Sequence, residues 1–272
     1  MKSLRVYMLG AFRVTVNHQP ITEFEADAAR ALLAYLALNP DHPYRREHLA
    51  HLLWGDQPHE SGLTNLRTAL NRLRHALADK DTGLPFVLAG RQDIQLNPQA
   101  LVWVDVREME RLLAQIKRHP HRRLLGCPWC LTRLTHIADL YRGEFLSDLA
   151  LNSQPFEEWQ TARREETNRL MVQVLATLVE HHHTWGAYTE AEHYARRALA
   201  LEPWNEGAHQ QLMRALFESG QRSAALAQYQ ACRALLREEL QVEPTEATTA
   251  LYHEIRVAPR QKAPHLPLIF PA

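Results

Sequence analysis

Apolar and polar positions alternate over residues 4–16, where Val6, Met8, Phe12, Val14 and Val16 carry the β-rich character and Gly10 interrupts it. Asn17-His18-Gln19-Pro20 marks a turn, and residues 21–24 resume an extended run, so the pattern predicts a small antiparallel sheet. The period then changes to that of helices. Residues 28–38 predict a helix that stops at Asn39-Pro40, and residues 46–54 a second with Leu49, Leu52 and Leu53 apolar. Residues 61–78 predict a third. There Leu63, Leu66, Leu70, Leu73 and Leu77 recur at spacings of three and four, which makes one apolar stripe, with Ser61 as its N-cap. Phe86-Val87-Leu88 and Ile94-Gln95-Leu96 flank a polar tip and predict a hairpin.

From Asp105 onward the pattern is almost wholly helical. Asp105 is read as the cap of a helix over 105–118, and His119-Pro120-His121 as a break. Helices follow over 131–141, 155–184, 187–201, 205–218, 221–240 and 245–256. Gly186 and Gly220 stand 34 residues apart, each between two helices; Ala191 and Ala225 share that offset, and Tyr194 and Tyr229 nearly do. A helix–turn–helix unit of 34 residues is the tetratricopeptide period. The pattern therefore divides the chain at 1–104, 105–256 and a Pro-rich tail or linker at 257–272.

Composition narrows the function classes. The 272 residues are 46% apolar and 23% charged, as expected of a soluble chain with a real core. Ten glycines argue against a sheet-rich fold with many tight turns. The longest clean apolar run, 31–38, falls far short of the roughly 20 residues that span a bilayer. Met1-Lys2-Ser3-Leu4-Arg5 shows no signal-peptide apolar stretch, and three cysteines are too few for a disulfide framework, so the reading is cytoplasmic. Thirty-one basic and 31 acidic residues give zero net charge, so any case for nucleic acid must rest on local charge.

That local charge is on the third helix. With the leucine stripe turned to a core, the opposite face presents Thr64, Asn65, Thr68, Asn71, Arg72 and His75, flanked by Arg67 and Arg74, with no acidic residue between Glu60 and Asp79. Arg can donate two hydrogen bonds to guanine, Asn can pair with adenine in both directions, and Thr and Arg suit phosphates. In a helix-turn-helix the preceding helix crosses the backbone while the second enters the major groove. Thr64, Arg67 and Arg74 are thus candidate phosphate contacts, Asn65, Thr68, Asn71 and Arg72 candidate base contacts, and Arg91 an anchor at the hairpin tip. The alternative is an ordinary solvated helix face on a protein-binding scaffold of tetratricopeptide type.

Residues 5–104, with their sheet, three helices and hairpin, resemble an OmpR-type winged helix, and Leu66-Arg67-Thr68-Ala69-Leu70-Asn71-Arg72-Leu73-Arg74 resembles that family's recognition helix. Val104-Asp105-Val106, Leu140-Tyr141-Arg142-Gly143-Glu144-Phe145-Leu146, Glu158-Trp159 with Arg163-Arg164, and Ala224-Ala225-Leu226-Ala227-Gln228-Tyr229 are similar to the bacterial transcriptional activator domain. The two halves in this order resemble the antibiotic-regulatory-protein (SARP-like) activators. That resemblance implies a mainly α protein, an α+β winged helix-turn-helix followed by an all-α tetratricopeptide-like domain. It also implies a transcriptional regulator that binds double-stranded DNA, with a helical half for activation, homodimerisation or RNA polymerase contact. Some family members carry an NTPase module after the helical half. No Walker A pattern occurs here, so no nucleotide site is expected.

Cys127-Pro128-Trp129-Cys130 places two thiols on one tight turn, with His119, His121 and His136 near in sequence. This reads as a structural zinc half-site with His121 as a further ligand, or as two small buried residues at a helix start. A redox dithiol is disfavoured, since no thioredoxin-like strand precedes the pair. No other cofactor is called for. Trp159, Trp185, Trp204, Tyr188 and Tyr194 read chiefly as core and secondarily as partner anchors, and His181-His182-His183 as a solvated helix end. No G-x-S-x-G, H-E-x-x-H or Gly-rich phosphate loop is present, so the expectation is a protein that is not an enzyme.

Overall fold

The computed structural model describes residues 2–22, 24–79 and 84–259; the tail from residue 260, with Pro264, Pro267 and Pro271, lies outside the described residues. The chain forms two compact units. The first takes residues 1–119 and 139–169, the second 120–138 and 170–272. A cut at residue 104 marks where strands give way to helices, but the compact units interleave.

In the first unit, β1 (Ser3–Tyr7), β2 (Arg13–Val16) and β3 (Gln19–Ile21) form the expected antiparallel ladder, turned at Asn17 and His18 with φ of 49° and 66°. A strand that the sequence did not flag, β7 (Leu101–Val104), adds parallel to β1, pairing Leu4 with Val102 and Val6 with Val104; the order is β3-β2-β1-β7. The helices α1 (Asp27–Leu38), α2 (Arg46–Trp54) and α3 (His59–Ala76) pack on one another, and α1 meets β7. A second sheet, β4-β6-β5, joins β4 (Tyr44–Arg45) to the hairpin β5 (Val87–Ala89) and β6 (Asp93–Leu96).

Asp105 does not cap α4 (Asp105–Arg118) from outside; Val104 holds the N-cap position and Asp105 is the first helical residue. Its carboxylate is fully buried and accepts the amides of Met8, Leu9 and Val106, all at 2.9 Å, together with the Arg142 guanidinium at 3.1 Å. Burial pushes this carboxyl above its ordinary value, against the pull of the amides and of Arg142. The backbone of 142–147 lies along the same corner: Arg142 and Leu146 donate to the carbonyls of Leu9 and Met8, and Gly10 donates to Glu144. Gly10 sits at φ 118°, and a Cβ there would approach Arg142 Cβ at 3.3 Å, so glycine is required. This docking explains why residues 139–169 belong to the first unit. The first half of α6 (Gln154–Thr184) adds to the core through Trp159, whose ring meets Tyr35, Phe145 and Phe156 at 5.1–5.7 Å, and through Gln160, which donates to the carbonyls of Leu146 and Leu149.

The second unit holds the end of α6, then α7 (Tyr188–Leu201), α8 (Glu206–Glu218), α9 (Arg222–Leu235) with a π turn at Leu236–Leu240, and α10 (Glu246–Val257). The 34-residue repeat is physical. Gly186 and Gly220 both take left-handed backbone, φ 72° and 83°, and the closing bonds Ala187 N–His182 O and Gln221 N–Leu216 O are offset by the same 34 residues. Ala191 and Ala225 are both fully buried where helices approach, and Ala195 is the position that corresponds to Tyr229. The π turn lengthens the second repeat at its end, which ends at Gln241 with φ 57°.

Glu206 ties α8 to α10, accepting the Thr245 amide at 2.9 Å and its hydroxyl at 2.8 Å, and the Thr248 hydroxyl. Burial pushes this carboxyl up, but the hydroxyl and amide bonds outweigh it and hold the carboxyl below its ordinary value. Its contribution is therefore present above about pH 4.5 and is lost as pH falls through the lowered value. Glu206→Gln should lower stability near neutral pH by about 1–2 kcal/mol and flatten the acid limb of stability against pH, as read by thermal unfolding across pH. Asp105→Asn should cost on the order of 3 kcal/mol, because an amide cannot replace an acceptor facing three amides and a guanidinium; urea unfolding measures it.

Candidate nucleic-acid interface

The second helix of the candidate helix-turn-helix begins earlier than its sequence suggests. Pro58 occupies the N-cap position and Ser61 lies within the first turn of α3. Gly62 is buried against α2, where an added Cβ would lie 3.5 Å from Ala50 Cβ and 3.8 Å from Trp54 Cβ. These are ordinary contact distances, so the helices would close equally well on an alanine there. Leu66, Leu70, Leu73 and Leu77 are buried, joined by Ala69, while Leu63 at the edge of the stripe is half-buried.

The opposite face is open. Thr64, Arg67, Thr68, Asn71, Arg72 and His75 are all exposed along α3. Positions 64, 67, 68, 71, 72 and 75 recur at helical spacing, so they form one continuous strip. Two of these groups are engaged at home: the Thr64 and Thr68 hydroxyls donate to the carbonyls four residues back, at 3.0 and 3.3 Å. Their oxygens can still accept, but donation to a phosphate requires a rotation. Arg72 Nε lies 3.2 Å from Glu25 Oε2, with both side chains largely exposed. An exposed pair of this kind is worth less than about 1 kcal/mol, so a duplex can displace the carboxylate.

Two predicted residues have other company. Asn65 is half-buried and donates to Gln57 Oε1 at 2.9 Å. Arg74 is half-buried and donates to the Val87 carbonyl at 3.1 Å, which turns it toward the hairpin. Arg91 is exposed at the hairpin tip. What positions that tip escaped the sequence reading. Arg46 donates from Nε and a terminal nitrogen to the Gly90 carbonyl at 3.2 and 2.9 Å, and its amide donates to Gln92 O at 2.9 Å. The buried Asp79 carboxylate accepts the amides of Phe86 and Val87, and Asn97 Nδ2 donates to the Pro85 carbonyl at 2.8 Å. A charged residue at the start of one helix and another past the end of the next are local signals of capping, not of a wing. Only the tertiary fold shows that Arg46 and Asp79 meet the same hairpin.

A separate cluster lies in the second unit. Leu124–Gly126 forms a single 3-10 turn, Cys127 follows it, and α5 (Pro128–Leu140) begins at the next residue. Cys130 is fully buried, its sulfur 3.6 Å from His121 Nδ1, and the two cysteine sulfurs lie within 4.8 Å of each other. Burial, followed by the bond to Cys127, pushes the Cys130 thiol up to about 11, which is the reverse of what a reactive redox thiolate needs. His136 is six residues further along α5, on another face, and is exposed. The three consecutive histidines diverge: His181 Nδ1 lies 2.7 Å from the Leu125 carbonyl, His182 stacks on Tyr194 and His183 meets Tyr188. Among the tryptophans, Trp159 is packed, whereas Trp185 and Trp204 are 69% and 53% exposed.

Comparison with known proteins bears on the same elements. Residues 26–87 match the family described as "Transcriptional regulatory protein, C terminal", and residues 104–256 match the "Bacterial transcriptional activator domain". The regulatory protein AfsR of Streptomyces coelicolor is 29% identical over 255 residues, 93% of this chain and 24% of that protein. The regulatory protein DnrI of Streptomyces peucetius is 28% identical over 260 residues, 93% of this chain and 92% of that protein. The chain thus spans about a quarter of the length of AfsR. A solved structure of Mycobacterium tuberculosis EmbR in complex with a low affinity phosphopeptide has the same fold, with a TM-score of 0.69 at 22% identity over 94% of this chain and 65% of that one. With both halves matched in order and the activator domain covering more than half of its length, the chain belongs to the bacterial transcriptional activator domain family, as a SARP-like member with an OmpR-type winged helix.

Proposed function

We propose that this protein is a sequence-specific DNA-binding transcriptional activator that lays α3 in the major groove. The observation that carries the reading is the exposed strip of α3: a cationic, hydrogen-bonding face that keeps its polar groups in solvent while every other face of the helix is packed. In this reading Arg67 and Thr64 hold phosphates, and Thr68, Asn71 and Arg72 meet base edges, with Asn65 at the margin of the strip. Arg91 anchors the wing. Arg74, engaged with Val87, serves the interface by fixing the wing against α3 rather than as a free phosphate contact. The division of labour follows the sequence bounds, with 1–104 reading DNA and 105–256 serving activation.

The helical repeat supports the second part. Stacked helix pairs present extended surfaces suited to a partner, here proposed to be RNA polymerase or a second protomer. Exposed Trp185 and Trp204 lie at the turns before α7 and α8, where an aromatic anchor is available to such a partner. Nothing in the proposal requires a bound cofactor for DNA recognition, and no described helix is long and apolar enough to cross a membrane. The fit of the chain to a regulator of transcription, in place of a catalyst, rests on the family.

Selection of sites from random duplex DNA, read by sequencing, tests the proposal; a recurrent motif is expected, and an unenriched pool would overturn it. On the selected site, Arg72→Ala should cost about 1–3 kcal/mol and relax one base preference, whereas Arg67→Ala should weaken all sequences alike and lower the salt slope by about one. A scaffold that binds protein alone would show neither effect in a gel-shift titration.

A further inference from the structure

The Cys127–Cys130 cluster is not used by the DNA reading and is built from different chemistry. Three observations converge on it. First, the donors are those zinc prefers: two thiols from a C-x-x-C turn and an imidazole nitrogen. Second, their spacing suits one ion. Zinc bonds of about 2.3 Å to sulfur and 2.0–2.1 Å to nitrogen, at the tetrahedral angle, put the sulfur and nitrogen ligands about 3.6 Å apart. Cys130 Sγ and His121 Nδ1 stand 3.6 Å apart, and the sulfurs of Cys127 and Cys130 lie within 4.8 Å. Third, the segment needs an anchor. The turn Leu124–Gly126 buries none of its residues, and Arg122 and Arg123 before it are exposed. Apolar packing therefore does little to hold this connection, although the Leu125 carbonyl meets His181 and α5 is held at its far end by Arg197 on the Ala138 carbonyl.

We propose that Cys127, Cys130 and His121 bind a structural zinc ion that staples the connection before α5 to the first turn of that helix. His136 is excluded by its place on another face of α5, and Cys232 by its distance along the chain and its burial within α9. Two thiols on one tight turn are the ligation of structural zinc, so the ion is a clamp. Binding releases the two thiol protons to solvent as the sulfurs become thiolates; no electron is transferred.

The test uses the full chain, purified reduced, without chelator and with any affinity tag removed. Elemental analysis should find about one zinc per chain, and cobalt(II) in its place should give the intense thiolate-to-metal charge-transfer band of a sulfur-ligated tetrahedral site. Cys127→Ser, at a half-buried position, should lose both, even if Cys130→Ser at its fully buried position fails to fold. A His121→Ala protein should bind the metal at least tenfold more weakly; unchanged affinity would overturn the assignment of His121 as a ligand. Chelation should speed tryptic cleavage after Arg122 and Arg123 several-fold in the wild-type chain and leave the Cys127→Ser rate unchanged. Reduced protein offered zinc chloride and dialysed that retains none, and shows no cobalt charge-transfer band, would overturn the proposal whether or not the chain binds DNA.

Discussion

The first unit depends on one buried carboxylate. Asp105 lies where β7 passes into α4, and it gathers the amides of Met8 and Leu9 beyond β1, the first amide of its own helix, and the guanidinium of Arg142. Without that group, two strand-end amides would be left in an apolar corner with no acceptor, a cost that folding cannot easily offset. With it, three stretches far apart in sequence are held to one another: the end of β1, the start of α4, and the loop through Arg142 that runs on toward Trp159. The glycine at position 10 belongs to the same corner, because only a residue without Cβ lets the backbone of Arg142 and Gly143 lie so close. The carboxylate is thus both a charge satisfied in four directions and the point at which the order of the chain is turned into a compact unit.

The candidate interface follows from the same logic of satisfied groups on one side and unsatisfied groups on the other. The inner face of α3 is closed by leucines and by Gly62 against Ala50, which leaves Arg67, Asn71 and Arg72 exposed on the other side. The wing is set by Arg46 on Gly90, Asp79 on two amides and Arg74 on Val87. These bonds fix the hairpin tip beside the exposed strip of α3. Net charge gives no hint of any of this, since an overall balance of 31 against 31 hides a helix with three arginines and no acid between residues 60 and 79. A field is felt locally, within about a Debye length, so the local count decides what the face can bind.

The helical repeat shows a different economy. Each pair closes with a glycine in left-handed backbone and a carbonyl bond from the turn behind it, and each packs a buried alanine where the helices meet. Those are short-range requirements that recur with the period, and they were visible in the chain for that reason. The π turn after α9 and the Glu206 tie to Thr245 and Thr248 are where the repeat departs from itself, and neither leaves a periodic trace.

What the sequence determined by itself is everything governed by neighbours a few residues away. The helices fall within about three residues of where their apolar spacing put them, the hairpin and the β1–β3 ladder follow from alternation and turn chemistry, and the 34-residue period stands out in Gly186 and Gly220. The leucine stripe of α3 already told which face would be left to solvent. What only the tertiary structure decided are the long-range pairings: β7 beside β1, β4 beside β6, residues 139–169 in the first unit, Arg74 bonded to the Val87 carbonyl, and His121 brought to Cys130. The reason is physical. A helix or a turn is selected by interactions within one chain segment, whereas a two-residue strand, a buried carboxylate or a ligand cluster takes its meaning from groups that approach only after the segments have packed.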